Sequence, residues 1–333
     1  MYNDEVHKSI LLSLHLRSHR SLRRILITTF FLTCKSKLTL MDQIQLNFNP
    51  TTLFILNCIL GFILFGVSLD LKRSDFKRIL KMPKEVFVGL TGQIFLLPLL
   101  TAALIYLIKP QASIALGMIL VASCPGGNLS NFMTHHAKGN TALSVTLTTL
   151  ATTLAIIFTP INFYLWGNLL PETSALMQEI DMPLAGIMFN VFLLIAFPLS
   201  IGLFVSHRYP AWAQKAKKPM KYFSLLFFLL FVILALAANF TYFLQYIHVV
   251  FFIVLLHNAL AFAGGYSLAS LFKIDKANKR AITLEVGLQN SGLGLILIFN
   301  FFNGLGGMAI ITAFWGIWHI LSGYALAQFW SRR

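Results

Sequence analysis

Ser123-Cys-Pro-Gly-Gly-Asn-Leu-Ser-Asn131 interrupts a segment that is otherwise apolar. Pro125 has no backbone N–H to donate, and its ring clashes with the preceding turn of a helix. Two glycines follow it and add backbone freedom that disfavours a helix, and three polar side chains come next. In lipid, an interrupted helix survives only where protein buries it or where it lines a water-filled cavity. We therefore expect the rest of the chain to hold this break at membrane depth.

The composition is that of a polytopic membrane protein. The chain is 57% hydrophobic and only 11% charged, and apolar runs of about 20 residues recur, which is enough to cross a hydrocarbon core of roughly 30 Å. Cys34, Cys58 and Cys124 are scattered, so neither a disulfide framework nor a zinc site is indicated. The net charge of +15 lies almost wholly between the apolar runs, which indicates topology signals. We expect a lipid bilayer around the chain, no nucleic-acid partner and no obligate protein partner.

Residues 1–45 differ from the rest of the chain. The first 40 residues hold seven Lys or Arg, and their one apolar patch, residues 25–32, is too short to span a membrane. A targeting segment, a surface amphipathic helix and an extension absent from the natural protein all fit this composition. Our interpretation is the extension, with a natural start near Met41. Residues 46–333 would then form the transmembrane domain.

Nine membrane spans are predicted, which makes the fold all-α. In residue numbers they are 50–69, 86–108, 112–135, 142–166, 183–206, 222–242, 249–272, 281–302 and 306–330.

The charges between the spans predict their orientation. Basic clusters follow spans one, five and seven, whereas the connections after even-numbered spans hold almost no base. Because basic connections stay in the cytoplasm, the odd-numbered spans are expected to end there. The N-terminus would lie outside and the C-terminus in the cytoplasm, with the chain in the cell (inner or plasma) membrane.

The eighth span is interrupted in the same way as the third. It reads Thr283-Leu-Glu-Val-Gly-Leu-Gln-Asn-Ser-Gly-Leu-Gly294, and Glu285 is the only carboxylate that we place inside a span. An ionisable residue within the membrane indicates a functional site. The alternative is that Glu285, five residues after Arg280, merely reaches the cytoplasmic interface. The polar face continues deeper through Gln289 and Asn290, which favours the functional site.

The two interrupted spans are five apart, so they cross the membrane in opposite directions. Paired interrupted segments in corresponding positions of two halves indicate an inverted-repeat transporter with its binding site near the midplane. Spans one to four would correspond to spans six to nine, and span five would have no counterpart.

Five motifs are informative in combination, namely residues 66–71, 123–134, 137–148, 285–292 and 318–323. Together they resemble the bile acid:sodium symporter family in its bacterial-type, nine-span form, and the resemblance covers about residues 51–330. It implies a core domain and a panel domain, with the two discontinuous helices crossing in the core.

The resemblance also implies two sodium ions. One would be bound by Ser130, Asn131, Ser144, Thr148 and Glu285, and the other by Gln93, Glu285, Gln289 and the backbone oxygens of Val286 and Leu288. All of these groups offer oxygen, the ligand that a hard cation takes. Hydroxyls in membrane helices also bond back to their own backbone or join helices. We prefer that interpretation for Thr146, Thr149, Thr152 and Thr153.

By the same resemblance, substrate would lie near the crossing, beside Asn128, Asn290 and His319. Helix N-termini at the breaks would suit a carboxylate. The resulting hypothesis is a sodium-coupled symporter of organic anions that works by alternating access. A proton-coupled or uncoupled carrier on the same scaffold is the alternative within transport, and a receptor or structural membrane protein is the alternative of another class. An enzyme is not indicated, because the spans show no paired carboxylates, metal-ligand cluster or nucleophile–base pair.

Overall fold

The structure is a computed structural model. It describes residues 50–70, 81–180, 184–217, 219–220, 222–223, 226, 230 and 240–332. Its helices are α1 (Pro50–Asp70), α2 (Pro83–Thr91), α3 (Leu97–Ile108), α4 (Ala112–Ser123), α5 (Leu129–His136), α6 (Thr141–Leu169), α7 (Pro171–Ile180), α8 (Leu184–Arg208), α9 (Phe240–Leu271), α10 (Lys276–Gly287), α11 (Ser291–Phe301) and α12 (Gly306–Ser331).

Within the described residues, the predicted all-α architecture is confirmed. Five stretches of helix in this part of the chain are long and apolar enough to cross a membrane, namely Pro83–Ile108, Thr141–Leu169, Val191–Arg208, Val250–Leu271 and Gly306–Ser331. Ala112–Ser123 and Ser291–Phe301 are shorter apolar helices; the first ends at the first predicted break, and the second begins at the second break. The proposed N-terminal extension lies outside the described residues, as does most of the predicted sixth span.

Helix α9 differs from the prediction at its N-terminal end. The seventh span was expected from residue 249, but the helix begins at Phe240 and has 32 residues. The stretch predicted to connect the sixth and seventh spans holds no glycine, proline or acidic residue, so nothing in it ends a helix. At 1.5 Å per residue the helix is longer than the hydrocarbon core is thick.

A wide turn joins α2 to α3. Residues Gly92–Leu96 form one π-helical turn just before Pro98. Pro98 cannot donate to the carbonyl of Ile94, four residues earlier, and the side chain of Asn162 on α6 donates to that oxygen instead, over 2.9 Å. The helix therefore continues through its proline, with Gln93 inside the widened turn.

The interrupted helices lie at the centre of the packing. Every residue of α4 after Ala112 is buried, and so are most residues of α10 and α11. Helices α6, α9 and α12 surround them, whereas α1 packs chiefly against α8. The two breaks are consequently held inside protein, where their unpaired backbone groups can find partners.

Candidate cation and anion site

The two predicted breaks contact each other directly. Gly127 N–H donates to the carbonyl of Leu288 over 2.9 Å, and Asn290 N–H donates to the carbonyl of Pro125, also over 2.9 Å. These bonds form an isolated antiparallel bridge between Gly126 and Gln289. Each break therefore satisfies backbone groups of the other, as a non-helical backbone at membrane depth requires.

A side chain from a neighbouring helix hydrogen-bonds to an unpaired carbonyl at the first break. The carbonyl of Ser123 ends α4 and has no partner within the helix. Thr159, a buried residue of α6, donates its hydroxyl to that oxygen over 2.7 Å. The break is thus a structured end held by α6, and the sequence motif alone did not indicate this role for Thr159.

Glu285 lies in the middle of a cluster of hydroxyl groups. Its side chain is 1% exposed. Ser130 donates to Oε2 over 2.6 Å, Thr148 lies 2.8 Å from Oε1 and 3.0 Å from Oε2, and Ser144 lies 3.3 Å from Oε2. Asn131 Oδ1 is 3.3 Å from the Thr148 hydroxyl. The first predicted set of cation ligands is therefore brought together from α5, α6 and α10.

The charge of Glu285 is not balanced by a basic side chain among the described residues. Its partners there are the three hydroxyls, while the buried Arg280 donates to Ala137 O over 2.6 Å and lies over the Trp330 ring. A buried carboxylate without an opposite charge is costly. A cation held among these oxygens would supply that charge, and a hard monovalent cation such as Na⁺ takes oxygen ligands.

The two glutamines of the second predicted set of ligands contact each other. Gln93 Nε2 donates to Gln289 Oε1 over 2.7 Å and to Cys124 O over 3.3 Å, which leaves Gln93 Oε1 buried and without a hydrogen-bond partner within the described part of the chain. A buried amide oxygen without a partner, on a side chain that bonds Gln289, is a suitable cation ligand. The carbonyls of Val286 and Leu288 each already accept one hydrogen bond, and a carbonyl has a second lone pair.

Asn128 and Asn290 occupy matching places at the two breaks. Asn128 precedes the first residue of α5 and is exposed, with no capping bond from its side chain. Asn290 precedes α11, and its Oδ1 accepts from Leu293 N over 3.1 Å. Two helix N-termini, which attract anions, therefore begin beside the crossing.

His319 is buried and bonds within its own helix. Its Nδ1 lies 2.7 Å from Trp315 O, and because a carbonyl can only accept, Nδ1 is the donor. The hydrogen bonds described for these residues do not join His319 to Asn128 or Asn290. Its predicted role in substrate binding stays a prediction.

Other hydroxyl groups on α5 and α6 bond either to the backbone of their own helix or to a residue of the cluster around Glu285. Thr146 donates to Ala142 O and Thr153 donates to Thr149 O, each four residues back, as predicted for them. Thr134, which the motif did not single out, donates to the Ser144 hydroxyl over 3.3 Å. It follows Ser130 by one helical turn, and that spacing was the signal that could have included it.

Fold and site together define an α-helical membrane protein in which two interrupted helices meet around a buried carboxylate. Residues 57–246 match the model of the Sodium Bile acid symporter family. The chain belongs to this family. Its members are transporters rather than enzymes, so the expectation that the chain is not an enzyme is confirmed.

Three relatives show the range of the family. The chain is 35% identical to the uncharacterized sodium-dependent transporter YocS of Bacillus subtilis (strain 168), over 82% of each chain. It is 32% identical to the probable sodium/metabolite cotransporter BASS2, chloroplastic, of Oryza sativa subsp. japonica, over 82% of this chain and 63% of that protein. It is 27% identical to the sodium/bile acid cotransporter 5 of Rattus norvegicus, over 77% of this chain and 58% of that protein. Sodium use is common to the names of all three.

Proposed function

We propose that this protein is a sodium-coupled symporter of small organic anions. The observation that carries the proposal is the environment of Glu285, a buried carboxylate that contacts three hydroxyl groups. The amide oxygen of Asn131 lies 3.3 Å from the hydroxyl of Thr148. A proton alone would neutralise the carboxylate without any need for a further oxygen such as Asn131 Oδ1 in the cluster. A cation with several oxygen ligands uses all of these groups.

A second sodium ion would lie on the other side of Glu285. Gln93 Oε1 is a free buried acceptor among the described residues, and it lies on the side chain that bonds Gln289. Together with the second lone pairs of the Val286 and Leu288 carbonyls, it offers a ligand set made entirely of oxygen. The two ions would share the single negative charge of Glu285, so binding of both would be favoured when an anion binds nearby.

The anion would bind at the start of α5 and α11. Both helix N-termini lie beside the crossing, and Asn128 is exposed there. A carboxylate or sulfate at this place gains N–H donors and the positive ends of two helix dipoles. Bile-acid-like molecules and smaller carboxylates both carry such a group, and His319 would belong to the same wall.

Transport would proceed by alternating access. The interrupted helices and their neighbours would form the core, and α1 with α8 would belong to the panel. The chain would have nine spans in an inverted repeat, as the two opposed breaks and the family resemblance indicate. The basic connections place the N-terminus outside and the C-terminus in the cytoplasm in this proposal. Sodium and substrate would favour one arrangement of core and panel because they bind that arrangement better.

Uptake into proteoliposomes tests the proposal. Purified protein is reconstituted, and uptake of radiolabelled taurocholate and pantoate is measured under an imposed sodium gradient, an imposed proton gradient or neither. Uptake driven by sodium supports the symporter. Uptake driven by protons alone, or equal uptake in all conditions, would replace it with a proton-coupled or uncoupled carrier. Specific binding of both anions without any uptake would favour a receptor.

A further inference from the structure

A buried amide on α9 contacts the second break. Asn258 is 1% exposed, and its Nδ2 donates to the carbonyl of Gly287, the last residue of α10, over 2.8 Å. That carbonyl is one of those that a helix end leaves without an intrahelical partner. Asn258 therefore caps the helix that carries Glu285, and it does so from a different helix.

A hydroxyl on α12 fixes the direction of this amide. Ser322 Oγ lies 2.5 Å from Asn258 Oδ1. The Asn258 nitrogen must face the Gly287 carbonyl, because two oxygens without a hydrogen between them would repel each other. Ser322 donates on the opposite side, so both ends of the amide are engaged. Ser322 thus donates to Asn258, and Asn258 donates to Gly287, which makes a short chain of hydrogen bonds with one direction.

The capped carbonyl lies between the two carbonyls assigned to a cation. Val286 O accepts from Gln289 Nε2 over 2.7 Å, and Leu288 O accepts from Gly127 N over 2.9 Å. Each of these three consecutive carbonyls is therefore oriented by a hydrogen bond from a different donor. Consecutive peptide planes share a Cα atom, so a rotation of the Gly287 peptide turns its neighbours unless the dihedral angles on both sides compensate for it.

Close packing around Gly287 also restricts rotation of its peptide. An added Cβ on Gly287 would lie 2.1 Å from the ring of Phe262, which follows Asn258 by one turn of α9. One face of α9 therefore lies directly against the break, with Asn258 as its polar contact and Phe262 as its apolar contact.

We propose that Asn258, oriented by Ser322, is a positioning residue for the cation site. It fixes the Gly287 peptide and thereby the directions of the Val286 and Leu288 carbonyls and of Glu285. It touches no ion itself. The inference rests on the proposed function, because it concerns the sodium affinity of that same site.

Sodium activation of uptake provides the test. Uptake into proteoliposomes is measured against sodium concentration for wild type, Asn258→Ala, Ser322→Ala and Ser322→Thr. Outer partners of metal ligands typically change affinity by about 10- to 100-fold, so half-maximal activation in Asn258→Ala should need about tenfold more sodium. Ser322→Ala should shift in the same direction by less, and Ser322→Thr, which keeps the hydroxyl, should return towards wild type. Maximal uptake at saturating sodium should change little.

Controls separate positioning from folding. Ser270→Ala removes an exposed hydroxyl of α9, the helix that carries Asn258. In the described contacts this hydroxyl bonds only the backbone of its own helix, so sodium activation of this variant should be like that of wild type. If Asn258→Ala does not fold, the Ser322 pair still carries the test. Unchanged sodium activation in the folded variants, or a loss of maximal uptake alone, would overturn the inference. Wild-type uptake without sodium activation would instead overturn the proposed function, and with it this role for Asn258.

Discussion

The Cα atom of Gly126 lies against the carboxylate of Glu285. A Cβ added to Gly126 would be 2.1 Å from Glu285 Oε1, which is less than any real contact. The first break therefore has glycine at this position because the carboxylate of the second break occupies the space of a side chain. The two motifs form one site through this contact, in addition to their backbone bridge.

Gly126→Ala should impair sodium-dependent uptake by tenfold or more, because the methyl group displaces the carboxylate from its hydroxyl partners. Gly127→Ala is the matched control, since a Cβ there would have its nearest neighbour at 3.6 Å. The measurement is sodium-driven uptake per inserted protein. Wild-type sodium activation in Gly126→Ala would show that the close contact is not required.

Thr148→Val should weaken sodium activation while keeping the shape of the side chain. The variant loses the hydroxyl that lies 2.8 Å from Glu285 Oε1. A hydrogen bond to a charged group contributes about 1.5–3 kcal/mol, which corresponds to roughly 10- to 100-fold in affinity. Thr148→Ser should retain most of the activity. Thr146→Val is the control, because Thr146 bonds its own backbone. Equal sodium curves for the two valine variants would contradict this prediction.

Thr159→Val should lower the stability of the protein, because the buried carbonyl of Ser123 loses its donor. Leaving a buried acceptor unpaired costs about 1–3 kcal/mol. Thr153→Val removes a hydroxyl that only adds a second donor to a carbonyl of its own helix, and its effect should stay within about 0.5 kcal/mol. Unfolding of the detergent-solubilised protein, measured without sodium, compares the two. The prediction fails if Thr159→Val unfolds like its control.

Asn57 of α1 and Asn300 of α11 exchange two hydrogen bonds, of 2.9 and 2.7 Å. A double-mutant cycle with alanine at both positions should therefore show coupling. In double-mutant cycles, side-chain hydrogen bonds between membrane helices have shown coupling energies of about 0.6 kcal/mol on average and about 1.7 kcal/mol at most. A reciprocal pair should therefore show a coupling energy in the upper half of that range. The free energy of unfolding is the readout. Strict additivity would mean that the pair contributes nothing specific between these helices.

The residues around Glu285 were predicted chiefly from the family resemblance, which implied both sets of ligands, and the polar pattern agreed with it because polar side chains stand out in apolar runs. A glutamate, two glutamines and clustered hydroxyls within spans have few structural explanations, and the paired breaks indicated that they would meet. The structure brings together the residues named for the first cation site and joins Gln93, Gln289 and Val286 of the second.

The residues that hold the backbone around the site could not be predicted from the same signal. Asn162 and Asn258 are equally conspicuous in their spans, but their partners are backbone carbonyls of Ile94 and Gly287. A sequence does not show which carbonyls a proline or a break will leave unpaired in three dimensions. The start of α9 at Phe240 was missed for a related reason, since a polar residue or two inside a long helix looks like a connection.

Equilibrium binding of radioactive sodium to the purified protein tests the central claim most directly. Wild type and Glu285→Gln are compared in detergent at equal folded concentration, over a range of sodium concentrations. The account predicts saturable binding to wild type, and its loss in Glu285→Gln, which keeps the size of the side chain and removes its charge. Saturable binding of equal affinity to both proteins would contradict the assignment of Glu285 as the carboxylate that holds the cation.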